Sequence, residues 1–238
     1  MRIGLDCTPL LGRRSGIGTY TLHLLEALVD RYPHDEFAAT AFTWNGRREL
    51  AEAVPPGVTV ASRPVPARLL RQVWQLTERP RIEDLAGRLD VFHATNFLMP
   101  PVGRAAGVVT IHDLAYLRFP ETVSAATLAY RELVPKGLAR VGAVVVPSRA
   151  VADQVAQPVV QVQLDPQFRV LAGEGVDGGG DEPLAIGNRT GHPQQAARRL
   201  VVRLDGGQGL VPFVDQAAAA GQEVAACVRQ LHPAGRAM

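Results

Sequence analysis

Alternating strand and helix signals with short connections predict an α/β fold, a doubly wound parallel sheet with helices on both faces. Two further observations support it. Gly107-Val108-Val109-Thr110-Ile111 and Ala143-Val144-Val145-Val146 are continuous apolar runs, the pattern of strands buried on both sides. Near the N-terminus a short apolar run, Ile3-Gly4-Leu5-Asp6-Cys7, turns through Ser15-Gly16-Ile17-Gly18-Thr19-Tyr20 into a helical stripe of Leu22, Leu24, Leu25, Leu28 and Val29.

The first helix is expected to open at the glycines, where unpaired backbone N–H groups and the helix dipole favour an anion. Gly16 and Gly18 lack a Cβ, so a phosphate or sugar can approach their backbone. The alternative is an ordinary turn that needs glycine for its dihedrals. Beyond Tyr32-Pro33-His34-Asp35 a second strand is predicted over 37–43, ended by Asn45-Gly46, and a third at Val58-Thr59-Val60. A helical stripe over 66–76 carries Leu69, Leu70, Val73, Trp74 and Leu76 and continues loosely towards Leu85. Asp90-Val91-Phe92-His93 reads as a strand followed by an irregular loop with Asn96. The run through Ile111 ends at His112-Asp113, residues 121–141 read as mostly helical, and Ser148 caps a helix over 149–156.

Composition narrows the class. A 47% hydrophobic share supplies a core, and with 5% aromatic residues that core should be mainly Leu, Val and Ala. The formal charge of +2, with arginines spread along the chain, argues against nucleic acid as a partner. Cys7 and Cys227 lack metal-type spacing and read as two reduced, buried cysteines. Asp6, Arg13 and Arg14 interrupt any apolar leader, and no run has the ~18 apolar residues a membrane helix needs. The expected location is cytoplasmic, with a peripheral contact at the inner membrane surface left open.

In a doubly wound sheet ligands bind beyond the carboxyl ends of the strands. Gly16 and Gly18, His93 and Asn96, His112 and Asp113, and Ser148 and Arg149 all fall there in this reading. His112 can donate to a substrate hydroxyl or act as an acid or base near neutral pH; its structural alternative is a bond to a neighbouring carbonyl that fixes the following loop. Asp113 reads first as the cap of the turn before Tyr116, Ser148 as an N-cap, and His93 as structural. Other nucleotide-binding classes fit poorly. Thr21 stands where a dinucleotide turn would place its third glycine, Thr43-Trp44-Asn45 offers no acidic residue at the end of the second strand, and neither a P-loop nor a G-x-S-x-G elbow occurs.

Residues 1–177 resemble the N-terminal half of family-4 glycosyltransferases of the GT-B architecture, which is Rossmann-like. The resemblance rests on Arg13-Arg14-Ser15-Gly16-Ile17-Gly18-Thr19-Tyr20, Asp90-Val91-Phe92-His93-Ala94-Thr95, and Thr110-Ile111-His112-Asp113-Leu114-Ala115-Tyr116 with Phe119-Pro120. Val145-Val146-Pro147-Ser148-Arg149 and Arg169-Val170-Leu171 with Gly175-Val176-Asp177 complete it. It implies retaining hexosyl transfer from a nucleotide-diphosphate sugar to a glycan or lipid-linked acceptor, without metal or separate cofactor. It puts His112 near the reacting sugar as the catalytic candidate. Gly16, Ile17, Gly18, Tyr20, His93, Asn96, Asp113, Tyr116, Ser148 and Arg149 are the substrate-binding candidates. The family's second, donor-binding domain is not recognisable in residues 178–238. This atypical tail holds Gly178-Gly179-Gly180, a strand-like Leu200-Val201-Val202 and isolated Glu182 and Glu223, and is expected to be a truncated or frame-shifted remnant. If the donor groups are missing, the chain is expected to bind a sugar, an acceptor or a partner without catalysis.

Overall fold

The computed structural model describes residues 1–156 and the strand segments 185–186 and 199–203. The expectations for Cys227, for the segment 169–177 and for most of the tail fall outside these residues. The strands are β1 (Arg2–Asp6), β2 (Glu36–Thr40), β3 (Thr59–Val60), β4 (Val91–Ala94), β5 (Ala106–Thr110), β6 (Ala143–Val146), β7 (Ala185–Ile186) and β8 (Arg199–Arg203). They form one sheet in the order β3-β2-β1-β4-β5-β6-β8-β7. Every pairing is parallel except that of β7 with β8 at the edge. The fold is a Rossmann-like α/β domain, and Leu200-Val201-Val202 extends its sheet beside β6.

The continuous apolar runs follow from burial on both faces. Val91, Val108 and Val145 pack on one side with Leu24, Leu25 and Leu28 of helix α1 (Gly16–Arg31). Their chain neighbours Phe92, Val109 and Val144 point the other way. There they meet Ile82 of α4 (Ile82–Ala86), Tyr116 of α5 (Ala115–Arg118), Leu138 of α7 (Tyr130–Leu138) and Val155 of α8 (Arg149–Ala156). Each fully buried Leu or Val contributes about 1.5–3 kcal/mol relative to exposure.

One helical expectation is corrected, and the mostly helical 121–141 stretch is borne out as separate pieces. The 66–85 stripe is two helices, α3 (Ala67–Leu76) and α4, because Pro80 follows and the Thr77 hydroxyl bonds the carbonyls of Val73 (3.1 Å) and Arg79 (2.7 Å). The 121–141 stretch is likewise broken. A 3-10 turn at Pro120–Thr122 precedes α6 (Ala125–Leu128), whose Ser124 cap starts a new helix before α7. A short α2 (Arg47–Ala53) precedes β3.

β1 and β4 are adjacent at the point where the strand order reverses, and the chain leaves their carboxyl ends in opposite directions. That crevice is where doubly wound folds bind ligands.

Candidate active site

α1 starts directly over this crevice. Thr19 N donates to Ser15 O at 3.0 Å, the first bond of the helix, and Ser15 Oγ caps the Gly18 amide at 3.4 Å. The amides of Gly16 and Ile17 therefore remain as the first-turn donors directed off the helix end. The two glycines differ. A Cβ at Gly16 would meet nothing within 4 Å, whereas one at Gly18 would lie 2.5 Å from the carbonyl oxygen of Pro9. Gly16 leaves open space for a ligand; Gly18 is needed so that the preceding 3-10 turn (Thr8–Leu10) can press on the helix.

His112 leaves the end of β5 and is half-buried. Its Nε2 lies 2.8 Å from the backbone oxygen of Thr95. A carbonyl only accepts, so Nε2 carries the hydrogen, and in the neutral ring Nδ1 is the lone-pair atom. Burial lowers the pKa of His112, opposed by the Thr95 bond and the Asp113 charge, so the neutral ring is favoured. This bond is the structural alternative expected for His112, a link to a neighbouring carbonyl, and it leaves Nδ1 of this tautomer as an acceptor, not a donor. Its ring meets Tyr20 of α1 edge-on at 5.2 Å and Phe97 at 5.6 Å.

Phe97 joins this site to α5 and α7, with ring distances of 6.0 Å to Tyr116 and 5.4 Å to Tyr130. Its φ of 58° lies in the left-handed region that non-glycine residues avoid, and local strain of this kind is held by surrounding contacts. Phe97 N donates to Thr110 O at 3.0 Å, which fixes the loop after β4 over the end of β5.

Tyr20, His93 and Tyr116 are buried behind this surface. The rim position expected for His93 is corrected: β4 runs on to Ala94, so His93 lies inside the strand. His93 Nε2 is 2.8 Å from Thr110 Oγ1, which also lies 3.2 Å from the Tyr20 hydroxyl. Burial pushes the His93 pKa down to about 3, with the nearby His112 adding to the shift, and pushes the Tyr20 hydroxyl up to about 12. His93 Nδ1, Asn96 Oδ1 and the Tyr116 hydroxyl are buried without a hydrogen-bond partner among the described residues. All three belong to the β4 and β5 ends of the crevice.

Asp113 Oδ1 accepts from Ala115 N at 2.9 Å and so caps the turn into α5. Ser148 Oγ accepts from Val151 N at 3.3 Å at the start of α8, one strand further along the rim. Arg149 opens that helix. Thr21, in place of a third glycine, is buried. Its hydroxyl lies 2.9 Å from Ile17 O and 3.2 Å from Thr95 Oγ1, tying α1 to the segment that holds His112.

Sequence reasoning missed Asp6, noticing it only as a charge near the N-terminus. It ends β1, is buried, and its Oδ1 accepts from Thr8 N at 2.9 Å. Burial raises its pKa, against the lowering pull of the Thr8 hydroxyl and amide. Its charge, like that of Arg71, is felt at Tyr130. The signal was available, since a carboxylate closing an apolar first strand falls at the switch point. Among the described residues, no three His, Cys, Asp or Glu side chains gather as a metal site.

These features define a Rossmann-like domain whose switch-point crevice offers amides for an anion and a neutral imidazole for a hydroxyl. The family model for the glycosyl transferase 4-like domain matches residues 15–164, more than half of the chain, and the chain belongs to that family. Glycosyltransferase domains act on a sugar donor and an acceptor. No curated protein gives a significant match.

Proposed function

We propose that this domain is the acceptor-side half of a GT-B glycosyltransferase, transferring a hexose with retention from a nucleotide-diphosphate sugar to a glycan or lipid-linked hydroxyl. The observation that carries the reading is the fixed tautomer of His112 beside the first turn of α1. Loss of a nucleotide diphosphate develops negative charge, which the Gly16 and Ile17 amides and the helix dipole stabilise. Positive charge develops at the sugar in glycosyl transfer, as in glycoside hydrolysis. A neutral His112 can hold a sugar hydroxyl through Nδ1 without adding a like charge there. The reading needs no metal, because the helix start takes the leaving-group charge. Asn96, Asp113, Tyr116 and Asp6 line or back the acceptor side, and Ser148 and Arg149 extend the rim.

Residues 178–238 are not the family's donor domain in this reading; that β8 extends the first sheet supports it. The same fact favours a second reading, a module that binds a sugar or acceptor without catalysis. Incubation of the purified chain with radiolabelled UDP- and GDP-hexoses and short glycan acceptors separates the two. Labelled acceptor carries the enzymatic reading, binding without transfer carries the second, and neither binding nor transfer overturns both.

A further inference from the structure

We infer that Thr95 is a positioning residue for His112, holding the ring at a set place against the first turn of α1. Thr95 directly follows β4 and is fully buried. Its hydroxyl donates to the carbonyl of Asp6, the last residue of β1, across 2.6 Å. The same oxygen accepts from the Thr21 hydroxyl of α1 at 3.2 Å, and that hydroxyl also lies 2.9 Å from Ile17 O. The Thr95 carbonyl takes the Nε2 hydrogen of His112, just beyond β5, at 2.8 Å. One residue thus bonds to three elements that meet at the crevice: β1, α1 and the turn after β5.

Packing alone does not call for this arrangement. Two buried hydroxyls between α1 and the sheet cost desolvation that an apolar pair would avoid, and only their hydrogen bonds offset it. Thr21 and Thr95 are both 0% exposed, so breaking one bond strands a polar group with no water to replace it. Both side chains are β-branched and stiff at χ1, which limits where each oxygen can point. The result is a short, rigid path through Ile17 O, the Thr21 hydroxyl, Thr95 and His112 Nε2. It joins Ile17, whose amide faces off the helix end, to the ring whose Nδ1 accepts.

A ligand that spans both half-sites gains from a fixed spacing between them, because less freedom is left to lose on binding. A nucleotide-diphosphate sugar is such a ligand, with its phosphates at the helix start and its sugar at His112. That purpose rests on the proposed function; the positioning of the ring does not.

The test compares the full, isotope-labelled chain with Thr95→Val, Thr95→Ser and Thr21→Val. Heteronuclear NMR correlation across the imidazole rings tells a protonated ring nitrogen from a bare one, and His112→Ala identifies the His112 signals. The parent chain is expected to carry the hydrogen on Nε2. Thr95→Val keeps the side-chain shape but removes the hydroxyl, and should give a mixture of the two tautomers. Thr95→Ser should restore the Nε2–H form. Thr21→Val spares the bond to Asp6 O and should shift the ring less. A merely structural role would lower the thermal melt of the valine variants without moving the tautomer. Hydrogen on Nδ1 in the parent, an unchanged ring in both valine variants, or no recovery with serine would overturn the inference. Calorimetry reads the same coupling through the ligand. Thr95→Val should weaken a UDP- or GDP-hexose roughly threefold to tenfold, but less than about twofold in a His112→Ala background, since it acts through that ring. Equal losses in the two backgrounds would also overturn it. A parent chain that binds no nucleotide sugar overturns the proposed function instead, and the ring measurement alone then decides the role of Thr95.

Discussion

The Nε2 atom of His112 donates to the carbonyl oxygen of Thr95 across 2.8 Å, and this one bond selects the tautomer of the candidate catalytic ring. Nδ1 is left as an acceptor, next to a helix start that offers amide donors. In the proposed function the crevice separates a half for the donor's phosphates from a half for a sugar hydroxyl.

His112→Ala is expected to weaken a nucleotide sugar by about threefold to tenfold, the worth of one neutral hydrogen bond. Binding of the nucleotide diphosphate alone should not change, because His112 is assigned to the sugar. Titration calorimetry with both ligands checks this; equal losses for the two would move His112 to the phosphate side.

The two glycines should separate in stability. Gly18→Ala puts a methyl group 2.5 Å from a backbone oxygen, which cannot swing away as a side chain can. A loss of about 1–3 kcal/mol is expected, read as a lowered denaturation midpoint. Gly16→Ala meets no atom and should leave the midpoint unchanged or slightly raised, since alanine favours the helix.

His93 ties stability to acid. Its folded pKa, about 3, lies below the ordinary 6.5, so the unfolded chain binds the proton more tightly. Stability is complete above the unfolded value and is lost as pH falls from 6.5 towards 3, by about 1 kcal/mol per pH unit. The lowered pKa of His112 acts in the same direction. Urea midpoints measured across this range should show the slope, and His93→Gln should reduce it.

Thr110→Val keeps the shape of the side chain but removes the oxygen that serves both His93 and Tyr20. Leaving the buried His93 Nε2 unpaired should cost about 1–3 kcal/mol. Thr110→Ser restores the oxygen and should recover most of this in a thermal melt.

Much of this was legible beforehand because burial writes a plain pattern. The runs at β5 and β6 are apolar without alternation since Val108 and Val109 feed opposite faces, and Ser148 announces its helix by capping it. The rim position expected for His93 fails because its neighbours do not reveal that β4 continues through Ala94. The tautomer of His112 was hidden in a contact between residues 17 apart in the chain. The roles of Gly16 and Gly18 look alike in sequence; only the position of Pro9 O distinguishes them. The break between α3 and α4 was signalled by Pro80 and was overridden by a helical stripe that merely resumes after it.

The central claim is that the first turn of α1 holds the donor phosphates. Calorimetric titration of the chain with UDP- and GDP-sugars, beside a Gly16→Trp variant, tests it most directly. The indole would fill the open space at Gly16, so the account predicts that the chain binds at least one nucleotide sugar and that the variant, equally stable, does not. Equal binding by both proteins would put the phosphates elsewhere, and no binding by either would mean that the crevice keeps its residues without a working donor site.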